Sequence, residues 1–211
     1  MTPKLELLLG KDNELMPLKI QLPLLQRRIA VLVSGGLDSA LLYYLLKSLV
    51  ITDSRYSLTT YTIDRSDGSS RHAQPVIDYI NSSLGCVSEK TNRIAIDQVD
   101  SNYQVTAGIR ELMKTSKNLI YVGLIKTLPE HTLHGVPPPY NPVDSELVKY
   151  PLKNLTKMHV VDAISKLNLH QLFELTHSCV YDLEYRCNNC NRCNERAWAF
   201  DQLNLIDPGT N

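Results

Sequence analysis

The chain has 211 residues, about the length of one to one and a half typical domains, and can bury a core without covalent staples. Its 22 Lys and Arg residues balance its 22 Asp and Glu residues, which disfavours strong binding to nucleic acid or an anionic membrane through overall charge. Hydrophobic residues make up 43% of the chain and charged residues 21%, values typical of a folded globular protein.

The sequence also indicates a cellular compartment. It has no run of about 18 apolar residues, so we expect no transmembrane helix and no membrane partner. Its first residues include acidic side chains too early for a secretory signal. We therefore expect a cytoplasmic protein, in which clustered cysteines indicate a metal site rather than a disulfide framework.

From residue 28 onward the pattern alternates between strands and helices. Short apolar or β-branched runs predict strands over 28–33, 57–63, 93–96 and 118–124. Helical periodicity predicts helices over 38–50, 71–84, 105–114 and 155–167, the last capped by Asn154 or Thr156. This alternation predicts an α/β fold with a Rossmann-like parallel sheet, whose ligands lie at the carboxyl ends of the strands. Residues 1–28 have no clear period, and residues 207–211 are expected to fray.

A glycine-rich turn joins the first predicted strand to the first predicted helix. It consists of Ser34, Gly35, Gly36, Leu37, Asp38 and Ser39. Two glycines allow the backbone to turn tightly and approach a ligand, and the N–H groups of a helix N-terminus favour an anion. Asp38 can cap the helix or face a magnesium ion held by phosphates. The alternative is an ordinary strand-to-helix turn capped by Asp38.

Four of the five cysteines lie close together near the C-terminus of the sequence: Cys179, Cys187, Cys190 and Cys193. Four thiolates at this spacing predict a tetrahedral, structural zinc site, because no coordination position stays open. We expect nearby arginines to offset the thiolate charge, namely Arg186, Arg192 and Arg196. A disulfide pair and an iron–sulfur cluster are the alternatives. The reducing compartment disfavours the first, and the lack of a Cys-Pro ending disfavours the second.

The glycine-rich string resembles the SGGxDS signature of the PP-loop ATP pyrophosphatases, with Leu37 in the variable position. This family cleaves ATP between the α- and β-phosphates and transfers AMP to an oxygen of its substrate. The resemblance implies that residues 34–39 bind the β- and γ-phosphates of ATP, which Mg²⁺ accompanies.

The loop and the cysteines together are similar to the 7-cyano-7-deazaguanine synthase family of queuosine and archaeosine biosynthesis. Further similarities extend from about residue 28 to residue 200. They comprise Thr62-Ile63-Asp64, Arg71-His72, Tyr150-Pro151-Leu152 with the following Lys157, Ser178-Cys179-Val180-Tyr181, and the stretch from Cys190 to Ala197.

This resemblance implies an ATP-dependent carbon–nitrogen ligase. The carboxylate of 7-carboxy-7-deazaguanine would be adenylated and attacked by ammonia, and a second ATP would convert the amide to a nitrile. Asp38 and Lys157 are the predicted catalytic residues, and the family is usually a homodimer. The chain would comprise an extension over 1–28, an ATP-binding α/β domain over 29–170 and a zinc-binding segment over 171–211.

The chain departs from the family where the base and the carboxylate would bind. The altered positions are Ser101-Asn102-Tyr103-Gln104, the loop over 127–131, Gln74 in place of Glu, and His159 in place of Glu. ATP binding is therefore better supported than the substrate. One alternative is an enzyme that attaches the activated carboxylate to another amine, on a protein or a nucleic acid. The others are a PP-loop tRNA thiolase, for which Cys86 is the one interior cysteine left, and a non-catalytic nucleotide-binding subunit.

Overall fold

The computed structural model describes residues 2–11, 14–65, 68–96, 103–116, 118–128, 131, 144–179, 181 and 184–209. The strands within these ranges are β1 (Lys4–Leu9), β2 (Met16–Gln21), β3 (Arg28–Leu32), β4 (Ser57–Ile63), β5 (Asn92–Ile94), β6 (Leu119–Val122) and β7 (Val148–Lys149). The helices are α1 (Leu37–Val50), α2 (Ala73–Ser83), α3 (Gln104–Thr115), α4 (Lys157–Lys166), α5 (Gln171–Leu175) and α6 (Asn191–Gln202), with a 3₁₀ turn at Ser69–His72 before α2. None of the described helices is long and apolar enough to cross a membrane.

The main sheet is a five-stranded parallel sheet with the order β5-β4-β3-β6-β7. The predicted α/β fold with a parallel sheet is therefore confirmed. The strand that comes first in this sheet, β3, lies at its centre, and the chain continues outward on one side and then on the other. The strand order therefore reverses between β3 and β6. In doubly wound sheets, a ligand-binding crevice lies at this point, at the carboxyl ends of the strands.

Hydrophobic core covers both faces of this sheet, because neighbouring residues of a strand point to opposite sides. Ile29 and Val31 of β3 belong to the larger cluster, which includes residues of α1, α2, α4, α5 and α6. Ala30 and Leu32 belong to the smaller cluster, which includes residues of α3. The central strand is therefore enclosed by helices, as its uninterrupted apolar sequence requires.

The N-terminal residues, which the sequence pattern left unassigned, form an antiparallel hairpin of β1 and β2. Its inner face, with Leu9 and Leu18, is buried in the larger core cluster. The backbone N–H of Gly10 donates to Asp162 Oδ2 at 2.7 Å, and Lys166 Nζ donates to the carbonyl oxygen of Leu8 at 3.0 Å. The hairpin is therefore fastened to α4 by both apolar packing and polar contacts.

Candidate functional site

The glycine-rich loop lies directly after the central strand and leads into α1. Beside it, the chain leaving β6 passes so close to the first turn of α1 that a Cβ at Gly123 would lie 2.9 Å from the Asp38 carbonyl oxygen. The loop therefore occupies the point between β3 and β6 where the strand order reverses. This is the position at which Rossmann-like sheets bind ligands.

Hydrogen bonds inside the loop fix its two serines. The Ser34 backbone N–H donates to Ser39 Oγ at 3.1 Å, and the Ser39 hydroxyl donates to the Gly36 carbonyl oxygen at 3.1 Å. Gly36 is the N-cap residue of α1 and has no side chain with which to cap the helix. Asp38 is therefore not the N-cap residue that the alternative explanation assumed. The backbone N–H groups of this helix terminus are of the kind that bind anions.

Gly35 has a conformation and a neighbour that exclude a side chain. Its φ of +87° lies in the left-handed region, and a Cβ there would lie 2.6 Å from the Cβ of His72 and 2.9 Å from the backbone nitrogen of Ala73. Leu37, in contrast, is fully buried in the core. Its side chain therefore fixes the helix, and only its backbone can face a ligand.

The two predicted catalytic residues are in contact. Lys157 Nζ donates to both carboxylate oxygens of Asp38, at 2.6 and 2.7 Å. Behind the lysine, Glu195 of α6 places its Oε2 atom 3.9 Å from the same nitrogen. Sequence reasoning missed Glu195, since a Glu in a cysteine-rich turn reads as a solvated residue.

The position of Lys157 depends on how α4 begins. Thr156, one of the two predicted caps, is the N-cap residue, and it forms a capping box with His159. The Thr156 backbone N–H donates to His159 Nδ1 at 3.2 Å, so the other ring nitrogen donates to the Glu14 carbonyl oxygen at 2.8 Å. His159 therefore takes the place that Glu has in the usual capping box. It also binds the Glu14 carbonyl oxygen, in the segment between β1 and β2.

Two histidines stack beside the loop. The rings of His72 and His177 lie 4.3 Å apart between centroids and are tilted by only 10°. The backbone N–H of His177 donates to the Gly35 carbonyl oxygen at 3.0 Å, and Arg71 Nε donates to His72 Nε2 at 3.5 Å. The Arg71-His72 pair therefore lies beside the loop. Asp64, another residue of the predicted resemblance, instead forms an ion pair with Arg93 at 2.5 Å.

A cavity lies next to the loop, at the carboxyl ends of β3, β4 and β6. Its polar lining comes from Ser34, Ser39, Arg65 and Ser70, and its apolar lining includes Ile63 and Leu124. Arg65 is oriented by Gln104, which accepts a hydrogen bond from Arg65 Nε at 3.2 Å. Ser101 and Asn102, which replace family residues, lie outside the described residues.

The four predicted metal-ligating cysteines come together. Their sulfur atoms all lie within 4.8 Å of one another, and a tetrahedral zinc ion with Zn–S bonds of about 2.3 Å needs sulfurs about 3.8 Å apart. Backbone N–H groups donate to two of the sulfurs, from Cys190 to Cys187 Sγ at 3.3 Å and from Cys193 to Cys190 Sγ at 3.4 Å. The donor set therefore fits zinc, and it is the one such group of three or more among the described residues.

Without a cation, the Cys193 thiol resists ionisation. Burial and the neighbouring Cys190 thiol raise the pKa of Cys193 well above its ordinary value. A divalent cation would reverse this effect, because it stabilises the thiolate form. Asn188, with a φ of +53°, forms the tight turn between Cys187 and Cys190.

The arginines near the cysteines have other partners than we expected. Arg186 NH1 donates to Asp207 Oδ1 at 2.8 Å, and Arg196 Nε donates to Asp207 Oδ2 at 2.6 Å. Arg192 lies 3.6 Å from Glu195 Oε2. The expectation that Asp207 lies in a frayed end is wrong, since this residue is buried and pairs with two guanidinium groups. The network attaches the cysteine-rich segment to the end of the described chain.

Residues 140–204 match the family described as queuosine biosynthesis protein QueC. No curated protein matches the chain. Among solved structures, the U34-tRNA thiolase NcsA from Methanococcus maripaludis with its [4Fe-4S] cluster has a TM-score of 0.47 and 15% identity over 82% of this chain and 63% of that one. NAD+ synthetase from Burkholderia pseudomallei has a TM-score of 0.38 and 14% identity over 67% of this chain and 66% of that one. The chain thus spans less than two thirds of either structure's length.

The family match bears directly on the site. Its range includes Lys157, Glu195 and all four cysteines of the cluster. Together with the SGGLDS loop, it supports an ATP-using enzyme of the PP-loop type. Over residues 140–204 the comparison confirms the predicted resemblance to the QueC family, the 7-cyano-7-deazaguanine synthases.

Proposed function

We propose that the protein is an ATP-dependent carbon–nitrogen ligase of the 7-cyano-7-deazaguanine synthase type. The observation that carries the proposal is the contact of Lys157 with Asp38, at 2.6 Å. It places the segment that resembles the QueC family directly against the phosphate-loop motif, which lies outside the matched residues. Two independent signatures of one enzyme family therefore meet at a single site.

In this proposal the loop binds the phosphates of ATP. The free N–H groups at the N-terminus of α1 and the hydroxyls of Ser34 and Ser39 supply donors, and the helix dipole favours negative charge. Asp38 is 22% exposed, and its carboxylate is of the type that binds Mg²⁺. Lys157 adds a positive charge beside the loop. These groups would stabilise the charge on the leaving pyrophosphate.

The acceptor of the nucleotide is a carboxylate, which is a poor electrophile until AMP turns its oxygen into a leaving group. The enzyme's main tasks are then to position the two substrates and to exclude water. The cavity beside the loop, at the ends of β3, β4 and β6, is the place where this carboxylate would meet the α-phosphate. Ammonia would then attack the adenylate to give the amide.

Two of the departures from the family have structural explanations. Gln74 binds the neighbouring loop, since its Nε2 donates to the Glu89 carbonyl oxygen at 3.1 Å and its Oε1 accepts from the Thr91 N–H at 3.0 Å. His159 caps α4. Neither residue argues against the family's reaction. The remaining departures leave open an enzyme that transfers the activated carboxylate to another amine.

Pyrophosphate release tests the proposal. Zinc-loaded protein is incubated with Mg²⁺, ATP and 7-carboxy-7-deazaguanine, with and without ammonium, and the products are identified by mass. We expect carboxylate-dependent pyrophosphate and the nitrile. An adenylate or amide without the nitrile would favour the other-amine alternative. No pyrophosphate from metal-loaded protein would overturn the ligase assignment.

Matched variants link the activity to the site. Asp38→Asn and Lys157→Met are expected to lower the rate of pyrophosphate release by roughly 100-fold or more, as is typical when a charge-stabilising group is removed. Lys166→Met removes a lysine from the same helix that pairs with Asp162 at 2.7 Å, away from the loop. It should keep the rate within about twofold of the parent rate.

A further inference from the structure

Glu195 is a buried acid that the proposed reaction does not use. Its side chain is only 2% exposed, and Oε2 has no hydrogen-bond partner among the described residues. Two cations lie nearby without reaching hydrogen-bond distance, Lys157 Nζ at 3.9 Å and Arg192 NH1 at 3.6 Å. A buried carboxylate oxygen is expensive to leave without a hydrogen bond, so its position requires an explanation.

Glu195 is the innermost member of a row of three charged groups. Asp38 is 22% exposed, Lys157 is 5% exposed and Glu195 is 2% exposed. A ligand at the phosphate loop can reach Asp38, but Glu195 lies behind the lysine. Glu195 can therefore act through Lys157 on a ligand at the loop.

Lys157 is in close contact with the carboxylate of Asp38, and the carboxylate of Glu195 lies just beyond hydrogen-bond distance. Both carboxylate oxygens of Asp38 accept from Lys157 Nζ, at 2.6 and 2.7 Å. If Asp38 turns to a cation, the buried ammonium group loses this partner, and such a group is unstable without one. A movement of about 1 Å would bring Nζ within hydrogen-bond distance of Glu195, and the flexible lysine stem allows it.

We propose that Glu195 is a positioning residue that receives Lys157 when Asp38 turns to the Mg²⁺ ion of bound nucleotide. This inference rests on the proposed function. The lysine exchanges one carboxylate for the other and stays charged beside the loop throughout. Arg192 balances Glu195 before the exchange. Glu195 follows the cluster residue Cys193 by two positions, so a metal bound by the cysteines would help to hold the place to which the lysine moves.

The affinity of the zinc-loaded protein for ATP, measured by calorimetry with excess Mg²⁺ and again in Mg²⁺-free buffer without a chelator, tests this exchange. In the parent protein we expect Mg²⁺ to tighten ATP binding. In Glu195→Gln the affinity without Mg²⁺ should stay within twofold of the parent value, while the tightening by Mg²⁺ should fall at least fivefold. Glu195→Asp keeps the charge and should retain more of the tightening than Glu195→Gln. Glu174→Gln, which changes an exposed acid of α5, is the matched control and should behave as the parent protein does.

A structure of the parent protein with Mg²⁺ and ATP gives a test that does not depend on the folding of a variant. The distance from Lys157 Nζ to Glu195 Oε2 should shorten to hydrogen-bond range, and the distance to Asp38 should lengthen. An unchanged Mg²⁺ effect in Glu195→Gln, equal effects of Gln and Asp, or a lysine still on Asp38 would overturn this inference and leave the ligase proposal standing. Failure of the parent protein to bind ATP at all would overturn both.

Discussion

The backbone N–H of His177 donates a hydrogen bond to the carbonyl oxygen of Gly35 at 3.0 Å. Gly35 belongs to the glycine-rich loop, and His177 precedes the cluster residue Cys179 by two positions. The stacking of His177 on His72 adds a second contact at the same place. Two motifs that are far apart in the sequence are therefore joined, and order in the metal cluster should be transmitted to the loop.

Metal removal should weaken nucleotide binding. We expect the purified protein to hold zinc, and Cys193→Ser or chelation to lower both the midpoint of thermal unfolding and the affinity for ATP. A loss of affinity of roughly tenfold is typical of coupling between neighbouring sites. Metal analysis, thermal unfolding and calorimetry check these expectations.

Cys86→Ser is the matched control for the metal. Cys86 lies outside the cluster, and its sulfur contacts only the Leu84 carbonyl oxygen, at 3.7 Å, among the bonds described for it. This variant should retain zinc and ATP affinity. Undiminished ATP binding by the metal-free protein would refute the coupling, and visible absorption with bound iron would refute zinc.

Gly35 should tolerate alanine far less well than Gly36. A Cβ at Gly35 would lie 2.6 Å from His72 Cβ at a φ of +87°, whereas a Cβ at Gly36 would meet nothing closer than 3.6 Å. We therefore expect Gly35→Ala to lower the free energy of unfolding by about 1–3 kcal/mol and Gly36→Ala by less than about 1 kcal/mol. Urea unfolding of both variants checks the difference, and equal losses would contradict the described loop conformation.

Asp207 should make the stability of the protein depend on acid pH. Burial alone would raise the pKa of Asp207, but the hydrogen bonds and charges of Arg196 and Arg186 lower it below its ordinary value of 3.8. Since the folded pKa lies below the unfolded one, the carboxylate stabilises the native state at pH above the unfolded value. This contribution is lost as the pH falls through the folded pKa.

Asp207→Asn measures that contribution. The difference in unfolding free energy between the parent protein and this variant should be constant from pH 7 to about pH 5 and should shrink below about pH 4. Unfolding in urea at a series of pH values checks it. A difference that stays constant down to pH 3 would show that the Asp207 pKa is not lowered by folding.

The N-terminal hairpin should loosen when its polar contact with α4 is removed. Asp162 Oδ2 accepts from the Gly10 N–H at 2.7 Å and from Lys166 Nζ at 2.7 Å. Asp162→Ala is expected to cost about 1–3 kcal/mol, because it leaves a partly buried donor without an acceptor. Asp201→Ala, at an exposed position of α6, should change stability by less than about 0.5 kcal/mol. Faster proteolysis near residue 10 in Asp162→Ala alone would support the contact, and equal behaviour would contradict it.

The parallel sheet could be predicted because its strands are short apolar runs separated by amphipathic helices. The hairpin could not, since β1 and β2 mix charged and apolar residues and contain Pro17, and their burial depends on α4, far along the chain. Local pattern carries no information on such a partner. The 3₁₀ turn before α2 could not be predicted either, because the sequence pattern predicted a single helix over 71–84.

The loop and the cysteines could be found by motif, but the links between them could not. Neither Glu195 nor His177 is part of a recognised sequence motif. Their contacts are visible only in the structure, where Glu195 lies near Lys157 and the His177 N–H binds the Gly35 carbonyl oxygen. For Arg186 and Arg196, in contrast, the sequence suggested partners other than the one that the structure shows. Charge near thiolates was a reasonable expectation for Arg186 and Arg196, yet a buried carboxylate, Asp207, offered paired hydrogen bonds that a sulfur could not match.

The bond between Gly10 and Asp162 joins residues that are 152 positions apart. A ribosome that adds about 5–20 residues per second therefore releases the hairpin roughly 8–30 s before the helix on which it rests. During that interval the inner face of the hairpin, with Leu9 and Leu18, lacks the part of its cover that α4 supplies. The nascent chain must keep this apolar surface from associating wrongly until α4 emerges.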